Sequence, residues 1–596
     1  MPTYKAPVDD ALFLLNDVFN YERYGNLPGF SDATPDVVKA ILEEGSKFAE
    51  EVLQPLNQVG DRQGCKRADD GSVTTPEGFK AAYDLMAQAG WSGLIASPDY
   101  GGQGLPYTLG VILNEFVSSA NMAFGMYPGL SNGAYAALDK HGSDDQKSLY
   151  LPRLASGEWS GTMNLTEPHC GTDLGLLRAK AVPQGDGSYK ISGQKIFISA
   201  GEHDLTDNII HLVLARIEGG PAGVKGISLF IVPKFMVNAD GSLGARNGVS
   251  CGKIEEKMGI HANSTCVMNY DEAVGYLLGE EHKGLKAMFT MMNEARLGVA
   301  MQGLSISEVS YQNGAAYAKD RLQGRALTGV KAPDKPADPI IVHPDVRRML
   351  LEQKATIEGA RVWMYNSALQ ADLAHKSEDS GDREKADDYL GLMTPVLKAY
   401  LTEKGYWHAT NAQQVLGGHG YIGEWGMEQF VRDARFAMIY EGANGIQALD
   451  LVGRKLMKDG GRAWQVWFAE IDEFVKDNQG NDELKPFLDG LSESKADLMD
   501  AIQWMGANAM TNFDNAGAAS MDLLHMFALT ALAQGWAMTA KVAIEKKAAA
   551  GGDAFYENKL LTGRFFLERI LPDRKANLAK LKTGAGALMA LPAEAF

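Results

Sequence analysis

Apolar residues recur at helical spacing over residues 1–157, where turn residues punctuate the pattern. The chain then changes character over residues 158–275, where short β-branched runs are separated by Gly, Asp and Pro. Three of these runs are GSYKISGQKIFIS, NIIHLVLARI and GISLFIVPKF. We therefore predict an N-terminal helical domain followed by a small β domain of antiparallel strands.

Helical spacing returns after the strands, over residues 276–458. A second long helix follows a Pro-rich loop and places an apolar stripe on one face, formed by Val346, Leu350, Ile357 and Met364. A further helical block fills residues 461–596. The whole pattern predicts a mainly α protein with a central β domain, a helical bundle and an additional C-terminal helical domain.

The most apolar stretch lies in that last block, at residues 521–544. Four polar or charged residues interrupt it: Asp522, His525, Gln534 and Lys541. Such interruptions are costly in a bilayer and ordinary on one face of a packed helix. We predict a buried amphipathic helix here and no membrane span.

The charge balance restricts the possible partners. The 596 residues include 57 Lys and Arg against 75 Asp and Glu, a formal net charge of −18. A strongly acidic chain has little general affinity for nucleic acid or anionic membranes. With 45% hydrophobic and 22% charged residues, the composition is that of an ordinary soluble globular protein.

The cysteines and the N-terminus indicate a cytoplasmic location. Four scattered cysteines show no paired metal-ligand spacing, so we interpret them as free thiols in a reducing compartment. Asp9 and Asp10 precede any long apolar run, which argues against a secretory signal.

The stretch GHGYIG, at residues 418–423, satisfies the G-x-G-x-x-G expression. That expression indicates dinucleotide binding only where it joins a strand to a helix. The preceding YLTEKGYWHATNAQQVLGG is patterned as a helix. A Rossmann site is therefore excluded by context, and this motif alone favours a helix C-cap.

The stretch NLTEPHCGTDLG, at residues 164–175, offers hydroxyls at Thr166 and Thr172. His169, Cys170 and Gly171 between them allow exposed backbone N–H groups, which suit an anionic or heterocyclic ligand. On spacing alone, a plain turn is the favoured interpretation. His169 and Cys170 do not predict a metal site, because no further ligands follow at usable spacing.

One carboxylate, Glu441, stands where an apolar run breaks into a turn, in RDARFAMIYEGANGIQ. Two interpretations remain open from the residues alone. Glu441 is either a helix cap or solvated loop residue, or a catalytic base whose pKa is raised by apolar neighbours.

Four motifs taken together resemble a known family. NLTEPHCGTDLG is similar to the T-E-P-x-x-G-S-D pattern of FAD-dependent acyl-CoA dehydrogenases, and ISGQKIFISAG resembles the strand motif that follows it. QQVLGGHGYIGE resembles their glycine pair, and RDARFAMIYEGANGIQ their R-D-x-x-x-x-x-I-Y-E-G-T segment. The motifs keep the family's order within residues of about 30–458. The opening YKAPVDD and the C-terminal block further resemble a longer bacterial branch with an additional C-terminal domain.

The resemblance implies that FAD is the cofactor, bound between the β domain and the helical bundle. It implies that Thr166 hydrogen-bonds the flavin ring, with Gly171 beside it, and that Thr172 replaces a serine facing the pyrophosphate. Phe197 and Ser199 stand where the family usually has tryptophan and threonine. Phe197 thus keeps an aromatic wall, and Ser199 keeps a hydroxyl near the flavin.

The resemblance also implies a cofactor site that a partner subunit completes. Arg321 matches the family arginine near the FAD phosphates, and Gln414 and Gly418 match the family glutamine and glycine. Gly324 and Arg325 replace the usual aromatic and glycine, so the contacts to adenine should differ. We expect a homodimer, because the additional domain could cover surfaces that shorter relatives use to form tetramers.

For catalysis the resemblance implies that Glu441 removes the α-proton of an acyl-CoA thioester, while its own backbone N–H and an FAD ribityl hydroxyl stabilise the enolate oxygen. Hydride from the β-carbon passes to the flavin, which gives the trans-2-enoyl-CoA. Asn293 and Arg296 match positions that hold CoA. Ala295 fills the slot where some branches place their base, so the sequence offers no rival to Glu441.

The acyl chain is less well defined. Met122, Phe124, Met126 and Tyr127 align with the acyl end of the pocket in relatives, although core packing explains them equally well. We expect an unbranched substrate, 3-(methylthio)propanoyl-CoA ahead of a medium- or long-chain fatty acyl-CoA. We expect an electron transfer flavoprotein as electron acceptor.

Two alternative functions differ from an acyl-CoA dehydrogenase. An acyl-CoA oxidase would share the flavin site and pass electrons to oxygen. A DNA-associated flavoprotein would need a basic C-terminal domain, whereas residues 461–596 carry 14 basic and 18 acidic residues, a net −4.

Overall fold

Long helices dominate the computed structural model, which describes residues 2–509, 511–549 and 554–596. The chain divides into two units. Unit 1 comprises Met1–Glu43 and Val299–Phe596, and unit 2 comprises Glu44–Gly298. The α-helices, in chain order, are α1 Val8–Phe13, α2 Pro35–Lys47, α3 Gln54–Gln63, α4 Phe79–Gln88, α5 Tyr107–Ala120, α6 Met122–His141, α7 Asp144–Ser156, α8 Gly284–Asp320, α9 Pro344–Lys376, α10 Ser380–Val415, α11 Met427–Ala437, α12 Asn444–Asp450, α13 Arg462–Asp477, α14 Lys485–Asn508, α15 Phe513–Ala549, α16 Ala554–Arg569, α17 Asp573–Leu581 and α18 Gly586–Ala590.

Every strand in the described part of the chain belongs to unit 2. They are β1 Lys66–Arg67, β2 Val73–Thr74, β3 Trp159–Asn164, β4 Lys180–Pro183, β5 Ser188–Ser199, β6 Asn208–Ile217, β7 Ile227–Pro233, β8 Phe235–Val237, β9 Leu243–Arg246, β10 Val249–Ile254 and β11 Thr265–Leu277. The main sheet has the order β10-β11-β5-β4-β6-β3, and β7 pairs with both β11 and β6. The predicted central β region is therefore present.

The expectation of antiparallel strands throughout this sheet was wrong in one respect. Both β3 and β4 run parallel to β6, whereas the other pairings of the sheet are antiparallel. Parallel neighbours need a crossover connection of a dozen or more residues. Such connections separate β6 from both strands, because β5 intervenes in the chain.

The core of unit 2 surrounds the fully buried strand β7 and the mostly buried strand β6. Helix α6 packs directly on β3 at Gly161. A Cβ added to Gly161 would lie 2.3 Å from the Cβ of Ala134, so only glycine permits this approach. This packing fixes the position of β3 and of the NLTEPHCGTDLG loop that follows it.

In unit 1, helix α15 packs against α9, α10 and α12. Trp536 of α15 donates a hydrogen bond from its indole nitrogen to the carbonyl of Ala355, at 3.1 Å. A segment of α15, Phe513–Lys547, is long and apolar enough to cross a membrane, but 67% of its apolar window is buried in the protein. That degree of burial agrees with the predicted core helix.

A cluster of buried charges joins the N-terminal segment of unit 1 to its long helices. Arg361 contacts Asp10 at 2.6 Å and Glu308 at 2.5 Å, while Lys559 contacts Glu358 at 2.9 Å and also Asp10. Burial would raise the pKa of Asp10, but the charges of Lys559 and Arg361 outweigh it and lower that pKa to about 2. The cluster therefore connects α1, α8, α9 and α16.

Candidate active site

Glu441 lies in the short loop between α11 and α12, and its side chain is half-buried. Its φ angle is +55°, in the left-handed region that non-glycine residues rarely adopt. Such a conformation costs about 1–3 kcal/mol and persists only where the surroundings enforce it. Ala443 occupies the N-cap position of α12, so Glu441 is not the cap residue of that helix.

Two fully buried side chains hold the backbone of this loop. Lys398 of α10 donates from Nζ to the carbonyl of Gly442, at 2.8 Å. Gln447 of α12 donates from Nε2 to the carbonyls of Glu441 and Gly442, at 3.0 and 3.2 Å. Gly442 has a φ angle of +87°, and a Cβ there would lie 2.5 Å from Gln447 Nε2, so both the backbone conformation and the space favour glycine. These bonds supply the external support that the strained Glu441 needs.

Tyr440, the residue before Glu441, is also fixed on both sides. Its hydroxyl donates to Oε1 of Gln302, and its ring stacks on Phe436 with centroids 4.1 Å apart. Burial, and secondarily the charge of Glu441, raise the pKa of Tyr440 far above its ordinary value. Tyr440 therefore stays neutral and gives the carboxylate an apolar neighbour.

In unit 2, the NLTEPHCGTDLG loop is tied to strand β5. The backbone N–H of Ile196 donates to the carbonyl of Thr166, at 2.9 Å. Gly171 lies beside Thr166, since an added Cβ would be 3.6 Å from Thr166 Cγ2. Thr166 is half-buried, and Gly171 and Thr172 are exposed. The three predicted residues thus share one surface next to β5.

Phe197 is the most unusual residue of this surface. Its φ angle is +60°, and 59% of the residue is exposed although it is aromatic. The register of β5 against β11 shifts at this point. Ser199, two residues on, is half-buried and pairs with Thr265. A strained, exposed aromatic residue beside hydroxyl groups is suited to stacking against a planar ligand.

A buried ion pair under this surface escaped the sequence analysis. Lys195 donates from Nζ to Oε1 of Glu167 at 2.8 Å and to the carbonyl of Leu165 at 2.9 Å. Burial lowers the pKa of Lys195 to about 8, against the opposing effect of Glu167. The available signal was a lysine at an inward position of the strand run SYKISGQKIFIS.

Glu167 also belongs to a group of potential metal ligands. One ligand atom each of Glu167, His169 and Cys170 lies within 4.8 Å of the others, a grouping that the spacing did not predict. The Glu167 oxygens already accept from Lys195 and from the backbone N–H groups of Arg178 and Ala179. That carboxylate is therefore committed to protein donors.

Arg321, Gln414 and Gly418 all lie exposed at one end of α8 and α10 in unit 1. The hydroxyl of Tyr317 in α8 hydrogen-bonds to Nδ1 of His419, at 2.8 Å, which joins the helix end to the glycine turn. Helix α10 precedes that turn, so the exclusion of a Rossmann site is confirmed. A Cβ on Gly418 would meet nothing within 4 Å, which leaves its backbone open to a ligand.

Asn293 and Arg296 are one turn apart on α8, with Ala295 between them. Residues three apart lie on the same helix face. Arg296 is buried and Asn293 is exposed. The pair thus offers one exposed amide and one sheltered cation along a single face.

The four residues aligned with the acyl end are buried on α6. Phe124 packs against Phe79 and Tyr83, with ring centroids 5.8 and 6.4 Å apart. The hydroxyl of Tyr127 donates to the carbonyl of Ala262, at 3.0 Å. Core packing thus accounts for Phe124 and Tyr127, and Met122 and Met126 remain the candidates for contact with an acyl tail.

Family models match almost the whole chain. Residues 36–158 match the acyl-CoA dehydrogenase N-terminal domain, residues 162–273 the middle domain and residues 282–457 the C-terminal domain. Residues 467–592 match a fourth model, described as acetyl-CoA dehydrogenase C-terminal like.

Similar proteins span the full length. The chain is 42% identical to 3-methylmercaptopropionyl-CoA dehydrogenase of Ruegeria pomeroyi, over 98% of this chain and 99% of that protein. It is 34% identical to a broad-specificity linear acyl-CoA dehydrogenase of Mycobacterium tuberculosis, over 100% of both. A solved acyl-CoA dehydrogenase of Bacillus anthracis complexed with FAD has the same fold, with a TM-score of 0.75 and 21% identity over 92% of this chain and 88% of that one.

Proposed function

Because this chain belongs to the acyl-CoA dehydrogenase family of FAD-dependent enzymes, we propose that Glu441 is its catalytic base and that its substrate is an unbranched acyl-CoA. The observation that carries the base assignment is the strained left-handed conformation of Glu441, supported by Lys398 and Gln447. Backbone strain of this kind clusters at catalytic positions.

The residues of each unit, taken by itself, fit the cofactor. In unit 2, the exposed ring of Phe197 and the hydroxyls of Thr166 and Ser199 suit a flavin ring. In unit 1, the open backbone at Gly418 and the exposed Arg321 suit phosphate groups. Bound FAD supplies the hydride acceptor.

The chemistry assigned to the chain is proton removal. An ordinary Glu has a pKa of about 4.3 and is a weak base at neutral pH. Exclusion of water around the half-buried Glu441 would raise that value toward the operating range. The Glu441 backbone N–H would stabilise the enolate oxygen that develops as the proton leaves. Asn293 and Arg296 would hold the CoA portion.

For the acyl group we propose 3-(methylthio)propanoyl-CoA, with product 3-(methylthio)acryloyl-CoA. The full-length similarity to the Ruegeria pomeroyi enzyme supports this choice, and the Mycobacterium tuberculosis relative supports linear fatty acyl-CoA as the second candidate. Met122 and Met126 are buried thioethers of the kind that pack well against a sulfur-containing tail.

A panel of acyl-CoA thioesters tests the substrate. We expect the highest kcat/KM for 3-(methylthio)propanoyl-CoA, with saturated linear thioesters next. One added or missing methylene in an apolar pocket changes kcat/KM by about 10–200-fold. Activity confined to branched or aryl thioesters would exclude this assignment.

The electron acceptor we propose is an electron transfer flavoprotein, as the family relationship supports. Peroxide formation in air, compared with reduction of that flavoprotein or of a dye, distinguishes a dehydrogenase from an oxidase. A DNA-associated role lacks electrostatic support, given the net −4 of residues 461–596. Four free thiols support a cytoplasmic location.

We further propose a homodimer in which the partner copy meets the surface of Arg321, Gln414 and Gly418. Exposed large apolar side chains near the glycine turn support an interface there. They are Tyr421, Ile422 and Trp425.

If the partner copy completes the cofactor site, dissociation into monomers should release FAD. Sizing chromatography across a dilution series, with flavin fluorescence recorded on each peak, measures both quantities together. We expect FAD occupancy to fall in step with the dimer fraction. A stable monomer with full FAD occupancy would rule out the shared site.

A further inference from the structure

We propose that His525, in the additional C-terminal region, is a positioning residue for catalysis that acts on the Glu441 loop through Glu403, Asn444 and Lys398. The inference rests on the proposed role of Glu441 as base. His525, Glu403, Asn444 and Lys398 belong to unit 1 with the Glu441 loop, each of the four contacts the next, and Lys398 contacts Gly442 of that loop.

The first contact joins α15 to the helical bundle. Nε2 of His525 lies 2.8 Å from Oε2 of Glu403 in α10, and His525 meets the ring of Tyr400 edge-on, with centroids 5.7 Å apart. The side chains of His525 and Glu403 are mostly shielded from solvent, with exposures of 31% and 19% respectively. The imidazole N–H thereby fixes one oxygen of the Glu403 carboxylate.

The other oxygen of Glu403 is one of three acceptors that face the amide nitrogen of Asn444. Nδ2 of Asn444 donates to Oε1 of Glu403 at 3.3 Å and to the carbonyl of Ala399 and Oγ1 of Thr402, each at 3.1 Å. Oδ1 of Asn444 accepts from Lys398 Nζ at 3.0 Å. An amide can present its oxygen or its nitrogen in either direction. The Glu403 carboxylate and the Ala399 carbonyl on one side, and the Lys398 ammonium on the other, together select a single orientation, because the reverse would place donor against donor at Lys398.

The last step reaches the catalytic loop. Lys398 shares its ammonium between Asn444 Oδ1 and the carbonyl of Gly442, the residue after Glu441. If the Asn444 side-chain amide flipped, its NH2 group would repel the buried ammonium and displace Lys398 from the Gly442 carbonyl. The left-handed backbone of Glu441 would then lose support, and the carboxylate would shift from its position.

These contacts give the additional C-terminal region a role in positioning Glu441. The apolar stripe of α15 alone would indicate only packing. His525 interrupts the apolar run of α15, where a leucine or phenylalanine would bury more apolar surface. A displacement of about 1 Å at a reacting group can cost about 10²-fold in rate. The effect should therefore appear in the chemical step and leave acyl-CoA affinity unchanged.

The test replaces His525 in the full-length holoenzyme. His525→Phe keeps the ring against Tyr400 and removes the N–H, and His525→Gln restores an N–H donor at similar reach. Asp522→Asn is the matched control, since Asp522 lies one turn away on α15 and pairs with Lys580, 3.1 Å away. The readouts are the rate of flavin bleaching on anaerobic mixing with saturating 3-(methylthio)propanoyl-CoA, its Kd and the melting temperature.

We expect His525→Phe to slow bleaching by about 10- to 10²-fold with an unchanged Kd, and His525→Gln to recover most of the rate. Glu403→Gln should slow it as well. The double variant should lose no more than the worse single variant, because contacts in one chain are not additive. Asp522→Asn should bleach at the wild-type rate.

Wild-type bleaching rates in both His525→Phe and Glu403→Gln would overturn the inference, as would a lowered melting temperature with no change in rate. Glu441→Gln, measured alongside, separates the two proposals. If Glu441→Gln does not bleach while His525→Phe bleaches normally, only the positioning role fails. If Glu441→Gln bleaches normally, the base assignment fails and the positioning role with it.

Discussion

Replacement of Glu441 by Gln is expected to reduce turnover by about 10²–10⁴-fold, because the amide cannot accept the α-proton. The variant should still fold and bind FAD. The substitution preserves side-chain size, and the backbone bonds from Lys398 and Gln447 do not involve the Glu441 carboxylate. The measurements are steady-state turnover with an artificial electron acceptor, FAD content and melting temperature.

If Glu441 had only a structural role, Glu441→Gln would give the opposite result. A capping or solvated loop residue should cost stability on the order of 0.5–2 kcal/mol and leave turnover largely intact. Glu428→Gln is the matched control, because Glu428 lies on α11, before the Glu441 loop, and pairs with Arg432. We expect near wild-type turnover from that control.

The second large effect concerns stability. Arg361→Met should destabilise the protein by about 3–5 kcal/mol, because Asp10 and Glu308 would lose a buried cationic partner. The side chain of Arg361 is 2% exposed, so water cannot replace that partner. Chemical denaturation followed by tryptophan fluorescence measures the change.

An exposed arginine of the same region provides the control. Arg564 of α16 pairs with Glu568 at 3.6 Å, and both side chains are more than 60% exposed. Arg564→Met should change stability by less than about 1 kcal/mol. Equal effects of the two substitutions would contradict the proposed importance of the buried cluster.

Acid unfolding provides a second readout of the same cluster. Asp10 has an ordinary pKa of 3.8 and a folded pKa of about 2. A lowered folded pKa contributes stability that is fully present above the ordinary value and is lost as pH falls toward about 2. Between pH 3.8 and about pH 2, the denaturant concentration at the unfolding midpoint should fall as pH decreases. The fall should be less steep in Arg361→Met than in the wild type, because the variant lacks one of the two stabilising cations.

Local patterns were enough to predict the elements, because each pattern depends on near neighbours in the chain. The β-branched runs after residue 158 form the central sheet, and the interrupted apolar run of residues 521–544 forms a buried helix. The parallel pairing of β3 with β6 was not predictable in this way. It depends on which strands come together across more than 40 residues, and side-chain alternation does not encode that choice.

The candidate site was likewise only partly predictable from the sequence. Motif resemblance led to Thr166, Phe197 and Glu441, whose surroundings in their own units are consistent with the roles assigned to them. The supporting residues Lys398, Glu403 and His525 carry no motif, because their partners are distant in sequence. A lysine inside the apolar run TPVLKAYL and a histidine inside the apolar part of α15 were the only signals of the buried network.

Anaerobic mixing of wild-type and Glu441→Gln holoenzyme with 3-(methylthio)propanoyl-CoA tests the central claim most directly. A single turnover, followed by flavin absorbance, isolates the chemical step from the later transfer to an electron acceptor. We predict rapid bleaching of the wild-type flavin and a rate lower by about 10²–10⁴-fold in the variant, with 3-(methylthio)acryloyl-CoA as the product. Bleaching of Glu441→Gln at the wild-type rate would show that Glu441 is not the base.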